Sequence, residues 1–192
     1  MTTPAIRFLQ EESARLKKEN QAHQEQIQAL HRYIEVLAEL YWAAQSMAST
    51  IDPLKAFDHC LESVIDVVGC KDGSLLCFDP DTDELVFTVV HGELRQQLPG
   101  HRIPSDTGVA GWVLENGQPV IVNNPRQDWR FSLTVDEEFA FLTRSILCEP
   151  VILEDKTFGV VELVNKDPHG FTEADEILLS ILSHIAALTL QA

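Results

Sequence analysis

From Ile6 to Ala44 the apolar positions follow a seven-residue repeat, with Ile6, Ser13, Asn20, Ile27, Ile34 and Tyr41 in one set and Leu9, Leu16, His23, Leu30, Leu37 and Ala44 three residues later. That is the a/d seam of a left-handed coiled coil, and it predicts one long helix with no Gly and with Pro only at Pro4. Ile at a, Leu at d and a single Asn20 at a favour two parallel strands, because facing Asn side chains hydrogen-bond only in that register. Glu12 at g and Lys17 at the following e would also meet across such a dimer. The alternative is one amphipathic helix lying on its own domain. A seam this narrow needs an apolar partner in either case, since isolated helices are marginal in water.

After the repeat, Asp52-Pro53 marks a break and restart, Asp as cap and Pro in the first helical turn. Leu54, Phe57, Leu61, Val64, Ile65 and Val68 then share one face of a helix over 53–68, which Gly69 closes. Ser74 to Phe78 and Leu85 to Val90 read as strands joined by the acidic turn Asp79-Pro-Asp-Thr-Asp-Glu. A short helix over Val109 to Glu115, ended by Asn116-Gly117, leads to a strand over Pro119 to Val122. A helical stretch near Asp136 to Phe141 precedes the strands Ile146 to Leu153 and Phe158 to Val164. Thr172, with Asp175 three residues on as reciprocal partner, starts a last helix that is apolar on nearly all sides to Leu190, and so is expected to be buried on more than one. Helix, two strands, helix, strand, helix, two strands, helix predicts an α+β fold, an antiparallel sheet flanked by helices. The expected division is a coiled-coil dimerisation helix over 1–50 and a folded domain over 52–192.

Composition narrows the partners. The chain has 192 residues, 45% of them hydrophobic, enough for one good core plus an appendage. Fourteen basic against 30 acidic side chains give a formal charge of -16, which repels phosphate backbones and anionic lipid, so nucleic acid is not an expected partner. No apolar run is long enough to span a bilayer and Met1 opens no cleavable leader, so no membrane role and a cytoplasmic location are expected. Cys60, Cys70, Cys77 and Cys148 show no C-x-x-C pairing and read as buried thiols of a reducing compartment.

Little catalytic or metal chemistry is visible. Asp79-x-Asp81-x-Asp83 begins like a calcium loop, but Glu84 and Val90 stand where the required Gly and Glu would be, which leaves a hairpin turn. The seven histidines carry no H-E-x-x-H and no zinc spacing with Cys. Nucleophile elbow, Walker loop and paired catalytic carboxylates are all missing, so no catalytic residue, metal or cofactor is assigned. The best anion site is Ser105 to Gly111, where small residues let a ligand approach backbone N–H groups at a helix N-terminus. Alternatively Ser105 or Asp106 caps that helix and the glycines serve packing.

Asn165-Lys166, four residues, Phe171, three residues and Asp175-Glu176 resemble the NK-F-DE signature of GAF domains in cyclic-nucleotide phosphodiesterases. The runs Arg102 to Gly111, Leu142 to Pro150 and Gly159 to Lys166 are similar to successive blocks of that domain, covering most of residues 55 to 190. The resemblance implies a GAF/PAS-like sheet with a ligand pocket formed by Ser74, Val89, Val90, Val109, Ala110, Ser132, Asp136, Phe139, Thr143 and Glu162, in which backbone at Val109-Ala110 holds an anionic group. It also implies that Lys166 and Asp175 form an ion pair outside the ligand shell, so that Asn165, Lys166, Phe171, Asp175 and Glu176 are structural. Three places depart from the cyclic-nucleotide pattern: Val89-Val90 replace a Phe-Asp pair, Phe139 a Thr, and Ser132 an aromatic. His59-Cys60 reverses the Cys-His order that bilin-carrying relatives use. Relatives that reduce free methionine sulfoxide use pocket cysteines, and Cys148 is the one candidate here.

The expectation is therefore a homodimeric sensory or regulatory module, paired in parallel through residues 6–44. It would bind a small molecule, with a cyclic nucleotide as one candidate, and pass the signal through its helices to a downstream signalling protein, any catalytic output lying in a partner or beyond this chain. The alternatives are a purely structural dimerisation domain whose pocket is filled by Phe139, Val89 and Val90, and a thiol-based methionine sulfoxide reductase.

Overall fold

The computed structural model describes residues 4–46 and 53–190, and the chain divides into two compact units, Met1–Leu37 and Ala38–Ala192. The heptad segment is a single helix, α1, over Pro4–Ser46. Its side chains at Leu16, Ile27, Leu30, Ile34 and Leu37 are exposed. The expected cap at Asp52 and the segments 47–50 and 191–192 lie outside the described residues, as do the side chains of Ile6, Leu9, Tyr41 and Ala44.

In the second unit six strands form one antiparallel sheet in the order β3-β2-β1-β6-β5-β4. These are β1 over Asp72–Asp79, β2 over Glu84–His91, β3 over Arg102–Pro104, β4 over Val120–Val122, β5 over Ile146–Leu153 and β6 over Lys156–Val164. The strand β3 is an addition to the expected order. Three residues ending in Pro carry no period-2 pattern of their own, and it is the pairing of Leu85 with Ile103 that makes them a strand. Arg102 then braces the acidic turn, its guanidinium donating to Asp79 at 2.8 Å, Thr82 at 2.9 Å and Glu84 at 2.9 Å.

Two helices cover one face of the sheet: α2 over Pro53–Val68 and α5 over Glu173–Leu190. The stripe expected on α2 is buried at Phe57, Leu61, Val64, Ile65 and Val68, with Leu54 left exposed, and it meets Leu178, Leu179, Leu182 and Ile185 of α5 and the sheet residues Leu75, Leu147 and Leu163 in a dry core. Each such side chain removed from water contributes about 2 kcal/mol. The Ser183 hydroxyl fixes α5 to β5 by donating to the Pro150 carbonyl at 2.5 Å. The other face carries α3, over Gly108–Asn116, and the segment 125–143, which includes a 3-10 turn at Pro125–Gln127 and the short α4 over Thr134–Phe139. Leu76, Phe87, Val90, Val113, Cys148 and Val160 form the second core there.

Candidate functional site

Strand alternation sends Asp72, Ser74 and Leu76 of β1 toward the α3 face, and opposite them β6 sends Val164, Glu162 and Val160 to that face. On β2 the alternation is interrupted. Leu76 pairs with Phe87 but Leu75 pairs with Val89, so Thr88 is an extra residue, a bulge that reverses which parity faces the core. Before it Leu85 and Phe87 point to α3; after it Val90 does, and Val89 turns to the helices α2 and α5.

Between this sheet surface, the start of α3 and the segment 125–143 lies a cavity of about 100 Å³. Of the ten ligand-binding positions expected from the sequence, Ser74, Val90, Val109, Ala110, Ser132, Asp136, Thr143 and Glu162 line it. Val89 does not, because of the bulge. Phe139 does not either: its ring packs edge-on against His101 with centroids 5.0 Å apart. The expected filling of the space by Phe139 and Val89 is therefore corrected, and a void remains.

The polar groups around the void differ in how fully they are engaged. Asp136 is buried and committed, its carboxylate taking Arg126 at 2.7 Å, the Thr143 amide at 3.1 Å and the Thr143 hydroxyl at 2.5 Å. Arg126 also lies over the Phe131 ring at 5.5 Å, and Arg130 over Trp112 at 4.8 Å, so the roof is pinned at several points. The Ser132 hydroxyl is spent on Thr134, 2.8 Å away. Glu162 is half-buried, and part of its surface opens on the cavity. One of its oxygens accepts the Ser74 hydroxyl at 2.7 Å. Burial raises its pKa and that hydrogen bond acts the other way.

Three polar lining residues escaped the sequence reading, Asp72, His91 and Thr134. The signal for Asp72 was present: it stands two residues before Ser74 on the same strand face. Its carboxylate accepts the Glu93 amide at 2.8 Å, and burial raises its pKa. His91 closes β2 with its Nε2 2.6 Å from the Asp58 carboxylate of α2, a long-range contact that no local pattern announces.

The helix α3 starts at Gly108 with Thr107 in the cap position and no side-chain cap hydrogen bond. Neither Ser105 nor Asp106 caps it; the Ser105 hydroxyl donates instead to Asp83 at 2.7 Å. The packing role expected of the glycines holds at Gly111, where a Cβ would run into the backbone of Ser105 and Asp106.

The signature residues frame the site without entering it. Asn165, at φ 63°, accepts the Arg144 amide at 2.8 Å and donates to the Leu142 carbonyl at 3.0 Å, tying the end of the roof to the end of β6. Asn tolerates this left-handed backbone better than most residues. Lys166 meets Asp175 at 2.6 Å outside the cavity. The Thr172 amide and hydroxyl both donate to the same Asp175 oxygen, at 2.8 and 2.9 Å. The carboxylate half of the expected capping box thus forms, whereas the threonine hydroxyl serves as donor. Phe171 is buried, its amide and carbonyl both held by Asn123.

Cys148 is fully buried and outside the cavity lining, and desolvation, then the charges of Glu162 and Glu149, push its thiol well up. A thiol held in that form is a poor nucleophile. Among the described residues no group of His, Cys, Asp and Glu is arranged to hold a metal ion, and no helix is long and apolar enough to cross a membrane.

Residues 50–191 match the family described as the GAF domain. The chain is 31% identical over 113 residues to the probable 3',5'-cyclic phosphodiesterase pde-5 of Caenorhabditis elegans, a match that covers 59% of this chain and 15% of that protein. The chain thus spans a small part of the relative's length. Among solved structures, the GAF domain from a phosphoenolpyruvate-protein phosphotransferase of Coxiella burnetii superimposes with a TM-score of 0.71 at 19% identity, covering 83% of this chain and 95% of that one. The free methionine-R-sulfoxide reductase of Neisseria meningitidis gives a TM-score of 0.65 at 21% identity, over 79% of this chain and 86% of that one. At such identities the two structures speak for the fold alone.

Proposed function

The chain belongs to the GAF domain family, and from that premise we propose that it is a regulatory module that senses a small molecule in the cavity between its sheet and the segment 125–143. The observation that carries this reading is the cavity itself, left open beside a partly buried Ser74-Glu162 pair on the two central strands. Cores are normally packed without voids of this size, and buried polar groups are costly unless used.

The lever is the sheet. Its cavity face carries the ligand contacts and its other face carries α2 and α5. A ligand that binds better to the form with 125–143 closed shifts the population toward that form and toward the helical packing that goes with it. In this reading two copies pair in parallel through residues 6–44, the seam being the exposed row from Leu16 to Leu37, and a downstream signalling protein in the cytoplasm reads the change. Cyclic nucleotides belong in the ligand panel on the strength of the phosphodiesterase likeness. Against them stands the volume, about 100 Å³ where pockets for drug-sized ligands span about 300–1,000 Å³.

The test is a thermal-shift screen of the full chain against cyclic nucleotides, amino acids, amines and small organic acids, followed by hydrogen exchange with any hit. A ligand raises the midpoint by mass action and is expected to slow exchange across 125–143. No shift at saturating concentrations of any compound would leave a structural domain.

A further inference from the structure

We propose that the polar corner formed by Ser74, Glu162 and Asp72 receives the protonated amine of a small organic molecule, making the sensed ligand an ammonium compound. The inference rests on the ligand-sensing reading above and names the chemistry of its site. Glu162 faces Ser74 directly across the β1-β6 pair, and Asp72 lies one step along on the same face. Ser74 occupies one oxygen of Glu162; among the described residues no hydrogen bond to the other is present. The side chain is half-buried and opens on the void.

At this corner the side chains that are lacking favour a positive group. Among the described residues no Lys or Arg lines the cavity. The one lining histidine, His91, is taken by Asp58 at 2.6 Å, and Arg126, outside the lining, is paired with Asp136 at 2.7 Å and lies over the Phe131 ring. Glu162 and Asp72 therefore have no cation in the cavity; burial raises the pKa of both, and among the described residues Asp72 accepts only the Glu93 amide and, at 3.4 Å, the Asn165 side-chain amide. An ammonium group supplies the missing positive charge, with three donors for the free Glu162 oxygen and its neighbours, in a setting where charge-assisted hydrogen bonds are strong. An anion brought to the same corner would meet only carboxyl groups and a hydroxyl already committed as donor.

Size and apolar character complete the description. A cavity of about 150 Å³ admits benzene, so about 100 Å³ suits a ligand of roughly four or five non-hydrogen atoms. Leu76, Phe87, Val90 and Ile146 would enclose a short alkyl chain. Binding pairs the ammonium with the Glu162 carboxylate; any proton that Glu162 holds in the free protein is released as the pair forms, so affinity rises with pH until Glu162 is ionised in the free protein.

The full chain is titrated calorimetrically with n-propylammonium, propionate and 1-propanol at matched ionic strength, in two buffers of different ionisation enthalpy. Propylammonium is expected to bind with a buffer-dependent heat that reports proton release, and Glu162→Gln, which keeps the side chain's size, to weaken it at least tenfold. Ser74→Ala is expected to weaken it several-fold and serves as the second variant. Preferred binding of propionate or propanol, or equal binding of propylammonium to folded Glu162→Gln, would overturn the proposal. So would a response to cyclic nucleotides or other compounds with none to any amine, and that result would leave the sensor reading standing. If neither these compounds nor the wider panel binds, both readings fall together.

Discussion

Glu149 on β5 is buried against α5, and desolvation followed by the like charge of Glu176 pushes its carboxyl up to about 7 from an ordinary value of 4.5. Between those two pH values the folded chain holds a proton that the unfolded chain has released. Stability therefore falls as pH rises from about 4.5 to 7 and levels off above, by on the order of 1–3 kcal/mol. Asp72 and Glu162, raised by burial, slope the same way. Asp79, Glu84, Asp128 and Asp167, held low by arginine or lysine partners, slope the opposite way at more acidic pH. Urea melts at pH 5 and 8 are expected to show the loss, and Glu149→Gln to remove most of it; an unchanged slope in that variant would place the proton elsewhere. Lys166 offers a second residue-scale test. Asp175 is fully buried with one oxygen already lacking a hydrogen-bond partner, so Lys166→Met strands a charge and should cost about 3 kcal/mol in a urea melt, with Asp175→Asn costing less. The Lys166-Asp175 pair was legible from a motif of two short segments, because both partners sit at fixed offsets from one strand end and one helix start. Glu149 was not, since its neighbour comes from an element 27 residues away.

At the scale of elements the roof of the cavity depends on Asp136. It joins α4 to Arg126 on one side and Thr143 on the other, so three points of one irregular segment converge on one buried carboxylate. Asp136→Asn keeps the shape and loses the ion pair, and is expected to speed hydrogen exchange over 125–143 while β5 and β6 keep their protection. Equal loosening of the whole sheet would make Asp136 a determinant of global stability and not of the roof. The helices and long strands were readable because each carries its own period: α2 over Pro53–Val68 repeats every three to four residues and β5 over Ile146–Leu153 has the length and β-branched content of a strand. The strand β3 and the bulge at Thr88 were hidden, as each exists only through pairing with β2. Alternation by itself puts Val89 and Val90 on opposite faces, and the bulge decides that Val90 is the one turned to the cavity.

For the molecule as a whole, the proposed parallel pairing of α1 makes the oligomeric state a direct measurement. Sedimentation of the full chain at micromolar concentration is expected to give a dimer, and Ile27→Lys with Ile34→Lys, which put charge into a seam, to give a monomer that keeps the near-UV signal of its GAF unit. A wild-type monomer would remove the pairing. With a dimer in hand, a ligand-dependent change in pairing strength would tie the cavity to the arm by linkage, since coupling is reciprocal.

The amino-acid sequence by itself determined the long N-terminal helix and the antiparallel α+β class through local periodicity and the family through residues at short fixed spacings, and its resemblance to GAF domains implied eight of the positions that line the cavity. Tertiary structure alone decided that a void remains, that Asp136 is spent on holding the roof, that Asp72 and His91 belong to the same chamber, and that Glu162 keeps an oxygen free within it. Each of those depends on which distant side chains meet across the sheet, and pairing register, including one bulged residue, sets that without leaving a periodic trace along the chain.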